Sequence, residues 1–144
     1  MVAAAESCTA GLAADLIARI SGASKVFWGS FVTYTIDAKI RMLGIPEALI
    51  KEHGAVSRSV ALAMARAALE KSGVSRAFSI TGLAGPDGDG SEIPVGTVWI
   101  GIAGRDAPDS IWLEAEKFLF SGKRNQVREQ AAIAALEMLL EKVQ

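Results

Sequence analysis

The chain has 144 residues, of which 51% are hydrophobic and 22% are charged, and its fifteen lysines and arginines face sixteen aspartates and glutamates. This balance, with no long run of one charge, argues against a nucleic-acid groove or a polybasic membrane patch. No apolar stretch reaches the roughly 20 residues that a membrane-spanning helix needs, and a single cysteine excludes an intrachain disulfide. We therefore expect one cytoplasmic domain over residues 1–144, with neither nucleic acid nor a membrane as a partner.

The N-terminal half of the chain predicts strands and helices in turn. Val2–Glu6 lacks polar alternation, which is typical of strands buried inside α/β sheets. A helix follows, with leucine and isoleucine at helical spacing, Thr9 as its expected N-cap and Gly22 as its stop. Residues 26–35 are rich in aromatic and β-branched types and predict a second strand. Two short helices are then expected at residues 37–44 and 46–54.

The C-terminal half begins with the clearest helical pattern, Ser57–Ser72, which ends before Gly73. Residues 82–96 hold five glycines and two prolines, too many for a helix or strand. The other predicted elements are a strand at 77–81, an antiparallel hairpin from strands 97–103 and 111–120, and a long helix at 125–143. This order indicates a mixed sheet with helices on both faces.

Polar side chains follow each of the first three strands. They are Ser7-Cys8-Thr9, then Tyr34 and Lys39, and then Thr81-Gly82. The carboxyl ends of parallel strands are where α/β sheets bind ligands, so we expect these residues to share one site. The cluster offers hydroxyls, a phenol, an amine and backbone N–H groups, but neither a histidine nor a pair of carboxylates.

The Ser7-Cys8-Thr9 segment allows three interpretations. A hydroxyl at a strand-to-helix turn can act as a nucleophile while helix N–H groups stabilise an oxyanion. The same N–H groups can bind a phosphate. Alternatively, the hydroxyls only cap the helix and Cys8 packs as a small apolar group. Lys39 extends the first interpretation, because a Ser–Lys pair can replace Ser–His, although a solvated lysine beside a half-buried Tyr34 explains the same spacing.

Two further segments carry charge near the predicted site. Asp87 and Asp89 in the glycine-rich loop suggest calcium, but the trailing glutamate of an EF-hand is missing, so we expect no metal. Lys123, Arg124 and Arg128 stand at the start of the last helix, where cations oppose the helix dipole. That position favours an anionic ligand, and a solvated basic face is the alternative.

Six segments resemble one known family. They occur in order along nearly the whole chain: AESCTAG, VTYTIDAKIRMLGIP, HGAVS, ITGLAGPDG, PVGTVWIGIA and FSGKRNQVREQAA. Together they look like the CinA C-terminal domain family, the PncC-type nicotinamide-nucleotide amidases. The resemblance implies a three-layer α/β/α sandwich with a mixed, mostly parallel five-stranded sheet. It also implies that nicotinamide mononucleotide is deamidated to nicotinate mononucleotide and ammonia without a metal or a cofactor.

The same resemblance implies roles at eight positions. The catalytic residues are Ser7 as nucleophile, with Lys39 and Tyr34 activating it and relaying protons. The substrate-binding residues are Thr9, Thr81, Gly82, Arg124 and Arg128, of which Arg124 best matches the arginine suited to the substrate phosphate. The family usually has a helix before the first strand, so we expect that this helix is missing here, and we expect a homo-oligomer.

The chain departs from the family pattern near the predicted nucleophile. Ala10 replaces the first of two glycines, and Ile36 replaces a polar residue that is often asparagine. Lys123 stands where the family has aspartate. Because Ile36 lies between Tyr34 and Lys39, these changes motivate an alternative function, a catalytically weak nucleotide-binding or regulatory module of the same fold.

Overall fold

The computed structural model describes residues 1–143 and places a five-stranded mixed sheet between two layers of helices. The strands are β1 (Val2–Glu6), β2 (Phe27–Val32), β3 (Arg76–Gly82), β4 (Thr97–Ala107) and β5 (Ser110–Leu119), in the spatial order β2-β1-β3-β4-β5. β1 pairs in parallel with β2 and β3, whereas β4 is antiparallel to both of its neighbours. Four strands therefore run in one direction, and the predicted three-layer α/β fold is confirmed.

Helices cover both faces of this sheet. They are α1 (Leu12–Ala18), α2 (Ile36–Ala38), α3 (Glu47–His53), α4 (Arg58–Ser72) and α5 (Arg124–Glu141). Helices α1 and α5 share one core with Phe78 and Ile100, and α4 packs Val60 and Met64 into a second core on the opposite face. Within the described residues, no helix is long and apolar enough to cross a bilayer.

The start of α1 differs from the prediction. Thr9 was expected to cap the helix, but the N-cap is Gly11 and the Thr9 hydroxyl is buried without a hydrogen-bond partner. The chain turns from β1 into α1 through two left-handed residues, Ala10 at φ 51° and Gly11 at φ 94°. These two residues delay the helix, so its first turn begins beyond the reach of the Thr9 hydroxyl.

The fold brings the three predicted polar segments together at one edge of the sheet. Glu6, the last residue of β1, stands in register with Val32 on β2 and Ile80 on β3. The chain therefore leaves β1, β2 and β3 side by side. On the same edge β4 begins, with Val98 opposite Gly82.

Candidate active site

Ser7 lies at the first position after β1, in a tight turn that the sheet holds in place. Its backbone N–H donates to Ile80 O at 2.9 Å, and its carbonyl accepts from the Ala10 N–H at 3.0 Å. Only 7% of the residue is exposed. The hydroxyl is therefore carried on a residue whose backbone N–H and carbonyl are both hydrogen-bonded and which has little contact with solvent.

Lys39 reaches this hydroxyl from the segment after β2. It begins a π-helical turn, Lys39–Leu43, and π turns are frequent at functional sites because they redirect a side chain. Its Nζ lies 2.8 Å from Ser7 Oγ and 2.8 Å from the carbonyl oxygen of Thr33. The predicted Ser–Lys pair is thus in direct hydrogen-bond contact.

The surroundings of Lys39 favour its neutral form. The side chain is almost fully buried, and its two hydrogen-bond partners are a hydroxyl and a carbonyl, neither of which carries a negative charge. Burial lowers the pKa of Lys39 from 10.5 to about 8. With a pKa of about 8, about a tenth of the amine is unprotonated at pH 7, and the neutral amine is the form that a general base requires.

Cys8, the neighbour of Ser7, is a poor alternative nucleophile. The residue is 6% exposed, and burial raises the pKa of its thiol to about 11. The thiolate is the reactive form of cysteine, so at neutral pH this side chain is an inert thiol. Its burial agrees with the interpretation of Cys8 as a packing residue.

Glu6 hydrogen-bonds to the backbone at the start of α1, and it was not identified from the sequence as a site residue. Its fully buried carboxylate accepts from the backbone N–H groups of Gly11, Ala13 and Ala14 at 3.0–3.1 Å. It also accepts from Ser30 Oγ at 3.0 Å. This carboxylate takes the place of an external anion at the α1 N-terminus, so the phosphate-cradle interpretation of that helix is wrong.

A cleft of about 210 Å³ opens in front of Ser7. It is lined by Ser7, Cys8, Tyr34, residues 82–85, Asp87, Gly88, Asp89 and Arg124. Cys8 and Ala84 line this cleft, and among residues 1–143 the backbone N–H groups of these two residues have no hydrogen-bond acceptor. They are therefore available to a ligand that carries a partly negative oxygen.

Tyr34 and Arg124 form the outer end of the cleft. Arg124 Nη2 donates to Tyr34 Oη at 2.6 Å, and Nη1 donates to the carbonyl oxygen of Gly85. Tyr34 is half exposed, and Arg124 is exposed at the first position of α5. The structure thus joins two predicted site residues that are 90 positions apart in sequence.

Of the remaining predicted binding residues, one lines the cleft and three do not. Gly82 lines the cleft, and a Cβ there would lie within 2.8 Å of β4 atoms, so only glycine allows this close approach. The Thr81 hydroxyl donates to Ala55 O at 2.8 Å and, like Thr9, does not line the cleft. Arg128 also lies outside it and donates to the carbonyls of Cys8 and Thr9. The predictions that these three side chains bind substrate stay predictions.

The structure also shows where the two loop aspartates and the departures from the family pattern lie. Asp87 and Asp89 line the cleft, but residues 1–143 contain no group of three or more metal-ligating side chains. Ile36 is half exposed and does not line the cleft. Ala10 is exposed at the back of the turn, in the left-handed conformation that favours glycine.

The amino-acid sequence of this chain is similar to those of several known proteins. The nicotinamide-nucleotide amidohydrolase PncC of Enterobacter agglomerans is 45% identical over 139 residues, which cover 96% of this chain and 82% of that protein. A CinA-like protein of Geotalea daltonii is 48% identical over 135 residues, covering 94% of this chain and 32% of that protein. The chain spans about a third of the length of most such curated relatives.

Solved structures share the fold over the whole chain. The competence/damage inducible protein CihA from Agrobacterium tumefaciens is 40% identical with a TM-score of 0.90, and the match covers 100% of this chain and 86% of that one. The competence damage-inducible protein A from Klebsiella pneumoniae is 29% identical with a TM-score of 0.92, over 99% and 85% of the two chains. A family model for the CinA C-terminal domain matches residues 1–143, and the chain belongs to that family.

Proposed function

We propose that this protein hydrolyses the carboxamide of nicotinamide mononucleotide to give nicotinate mononucleotide and ammonia. The observation that carries the proposal is the 2.8 Å contact between Ser7 Oγ and Lys39 Nζ at the floor of a cleft. The lowered pKa of Lys39 fits the role of base. The relative from Enterobacter agglomerans, named as a nicotinamide-nucleotide amidohydrolase, supports the choice of substrate.

In the first half of the proposed reaction, Ser7 Oγ attacks the carboxamide carbon and its proton passes to neutral Lys39 Nζ. The carbonyl oxygen becomes an oxyanion, whose stabilisation we assign to the backbone N–H groups of the cleft residues Cys8 and Ala84. The C–N bond then breaks as the protonated amine returns its proton to the leaving nitrogen. Ammonia departs, and an ester joins the nicotinoyl group to Ser7.

In the second half, water attacks the ester carbon while Lys39 Nζ accepts a proton from it. Collapse of the new tetrahedral intermediate breaks the bond to Ser7 Oγ, and the proton held by Lys39 returns to that oxygen. Nicotinate mononucleotide leaves, and the site is restored. Thr33 O supports Lys39 throughout, because its hydrogen bond at 2.8 Å keeps Nζ aimed at Ser7.

The phosphate of the substrate is assigned to Arg124 at the outer end of the cleft. A guanidinium carries five N–H donors, and contacts to Gly85 O and Tyr34 Oη use two of its nitrogens. Binding of a phosphate there would leave the Tyr34 hydroxyl beside both the substrate and the arginine. Tyr34 lines the same cleft as Ser7, and that shared lining is what supports its proposed role in proton relay.

The proposal is tested by measuring ammonia release from nicotinamide mononucleotide, nicotinamide riboside and free nicotinamide. We expect turnover of the mononucleotide, and a loss of at least about 10³-fold in Ser7→Ala, since removing a nucleophile abolishes the covalent route. The matched control is Ser24→Ala, an exposed serine outside the cleft, which should keep wild-type activity.

Three outcomes would redirect the proposal. Full activity in Ser7→Ala would remove Ser7 as the nucleophile, and a loss confined to Cys8→Ser would transfer that role to Cys8. Calorimetric binding of the mononucleotide without ammonia release would instead favour the nucleotide-binding module.

A further inference from the structure

Arg128 contacts the turn that follows Ser7. Its Nε donates to Cys8 O at 3.0 Å and its Nη2 donates to Thr9 O at 2.9 Å, so one guanidinium spans two successive peptide carbonyls. Its Nη1 donates to Asn125 Oδ1 at 3.0 Å within α5. All three nitrogens therefore have protein acceptors, and the side chain does not line the cleft.

Arg124, one turn earlier on α5, points elsewhere. It contacts Tyr34 and Gly85 in the cleft, is exposed, and has donors to spare. Both arginines lie on α5, but their guanidinium groups contact different parts of the protein. A phosphate at Arg128 would have to displace carbonyls that the guanidinium already holds, whereas a phosphate at Arg124 would not.

The turn that Arg128 contacts has few backbone hydrogen bonds of its own. Between Ser7 and the first turn of α1, two backbone hydrogen bonds close the turn, from the Ala10 N–H to Ser7 O and from the Leu12 N–H to Thr9 O, and the Cys8 carbonyl takes part in neither. Ala10 and Gly11 are both left-handed, and alanine adopts that conformation only at an energetic cost. Arg128 donates to the Cys8 carbonyl and adds a second donor to the Thr9 carbonyl, and the planar fork of arginine suits two adjacent acceptors.

We propose that Arg128 is a positioning residue: it fixes the Cys8 and Thr9 peptides so that Ser7 Oγ faces Lys39 Nζ and the Cys8 N–H faces the cleft. The inference rests on the proposed role of Ser7 as nucleophile. It replaces the alternative in which Arg128 binds the substrate phosphate. A displacement of the turn by about 1 Å is enough to slow a reaction about 100-fold, so the effect belongs to the chemical step and not to substrate affinity.

The test compares Arg128→Met and Arg128→Lys with wild type in two assays. One measures kcat and KM for nicotinamide mononucleotide, and the other measures the rate at which an alkyl fluorophosphonate labels Ser7, with Ser7→Ala as the blank. The probe contains no nucleotide, so it reports on Ser7 whether or not the proposed substrate is right. Arg66→Met, an exposed helical arginine on α4, is the matched control.

We expect Arg128→Met to lower kcat and the labelling rate together by about 10- to 100-fold, with KM changed less than about threefold. Arg128→Lys should recover part of both rates, since a lysine can satisfy one carbonyl strongly but does not span two. It also serves as the test variant if Arg128→Met does not fold, which circular dichroism and thermal unfolding will show.

Three results would overturn the inference. A raised KM with unchanged kcat and labelling would make Arg128 a phosphate ligand. Unchanged kcat, KM and labelling in both variants would leave the turn independent of Arg128. A wild-type Ser7 that the probe does not label would remove the reactive hydroxyl on which the inference rests. If the probe labels wild type but no ammonia is released from the mononucleotide, the substrate proposal fails while the labelling rates still test Arg128.

Discussion

The two walls of the cleft are built in contrasting ways. On one wall Ser7 is buried, rests on backbone that the sheet holds, and contacts the buried Lys39 beneath the cleft surface. The other wall is the loop after β3, in which residues 86–90 are all exposed. There Asp89 hydrogen-bonds only to Ser91 two positions away, and Arg124 reaches across from α5 to hold Gly85.

This difference suggests that the buried wall carries out the reaction and that the loop wall binds the substrate. The buried wall is already arranged when the protein folds, so no reorganisation is needed at the moment of reaction. The loop wall is exposed to solvent at residues 86–90, so a ligand displaces water from it when it binds. We therefore expect changes on the buried wall to act on kcat and changes on the loop wall to act on KM.

The largest effect is expected at Lys39, on the buried wall. Lys39→Met should reduce kcat by about 10³-fold, a loss typical of removing a general base. In the wild type, kcat/KM should rise with pH about tenfold per unit below pH 8 and level off above it. The neutral amine is the active form, and the pKa of Lys39 is about 8. The measurement is ammonia release between pH 6 and 10.

Lys39→Arg is the matched control, because it keeps the positive charge but does not lose a proton in this range. It should be inactive at every pH. The lowered pKa also predicts that wild-type stability rises between about pH 8 and 10.5, because the unfolded chain binds the extra proton there. Lys39→Met should lack that rise, and a pH–rate profile with no limb near 8 would contradict the role of Lys39 as base.

The next effect is expected at Arg124, on the loop side. Arg124→Met should raise KM for nicotinamide mononucleotide about 10- to 100-fold, as is typical of losing a charge-assisted contact to phosphate. Turnover of nicotinamide riboside, which has no phosphate, should change far less, and the ratio of the two kcat/KM values measures this. Arg66→Met again provides the control. An equal loss on both substrates would place Arg124 in the chemical step and break the division between the two walls.

The sequence predicted most of the fold because its signals are local. The buried strand at Val2–Glu6 and the helix after Ser57 depend on hydrophobic patterning and on caps within a few residues, and both lie where they were expected. The prediction for α1 failed on a contact that patterning does not contain. Thr9 is a good capping residue by type, but two left-handed residues and a carboxylate from the preceding strand determine where the helix begins.

The candidate site was predictable in its members and not in its contacts. Ser7 and Lys39 could be paired because both follow parallel strands that turned out to be neighbours. Glu6 gave one weak signal, a lone carboxylate ending an apolar strand before a helix. No signal in the sequence separated the roles of Arg124 and Arg128. Helical spacing puts both on related faces of α5, and only the packing of α5 against the turn separates them.

The smallest effect is expected at Ala10, which supports the buried wall from the back of its turn. A left-handed alanine costs roughly 1–2 kcal/mol, partly offset because glycine loses more entropy on folding. Ala10→Gly should therefore raise the free energy of unfolding by about 0.5–1 kcal/mol, measured by urea denaturation. Gly11→Ala is the matched reverse change: a Cβ there lies 3.7 Å from Val32 Cγ2, so space is sufficient and only the φ of 94° is unfavourable. That variant should lose about 1 kcal/mol, and a loss of stability in Ala10→Gly would contradict the left-handed turn on which the fixed position of Ser7 depends.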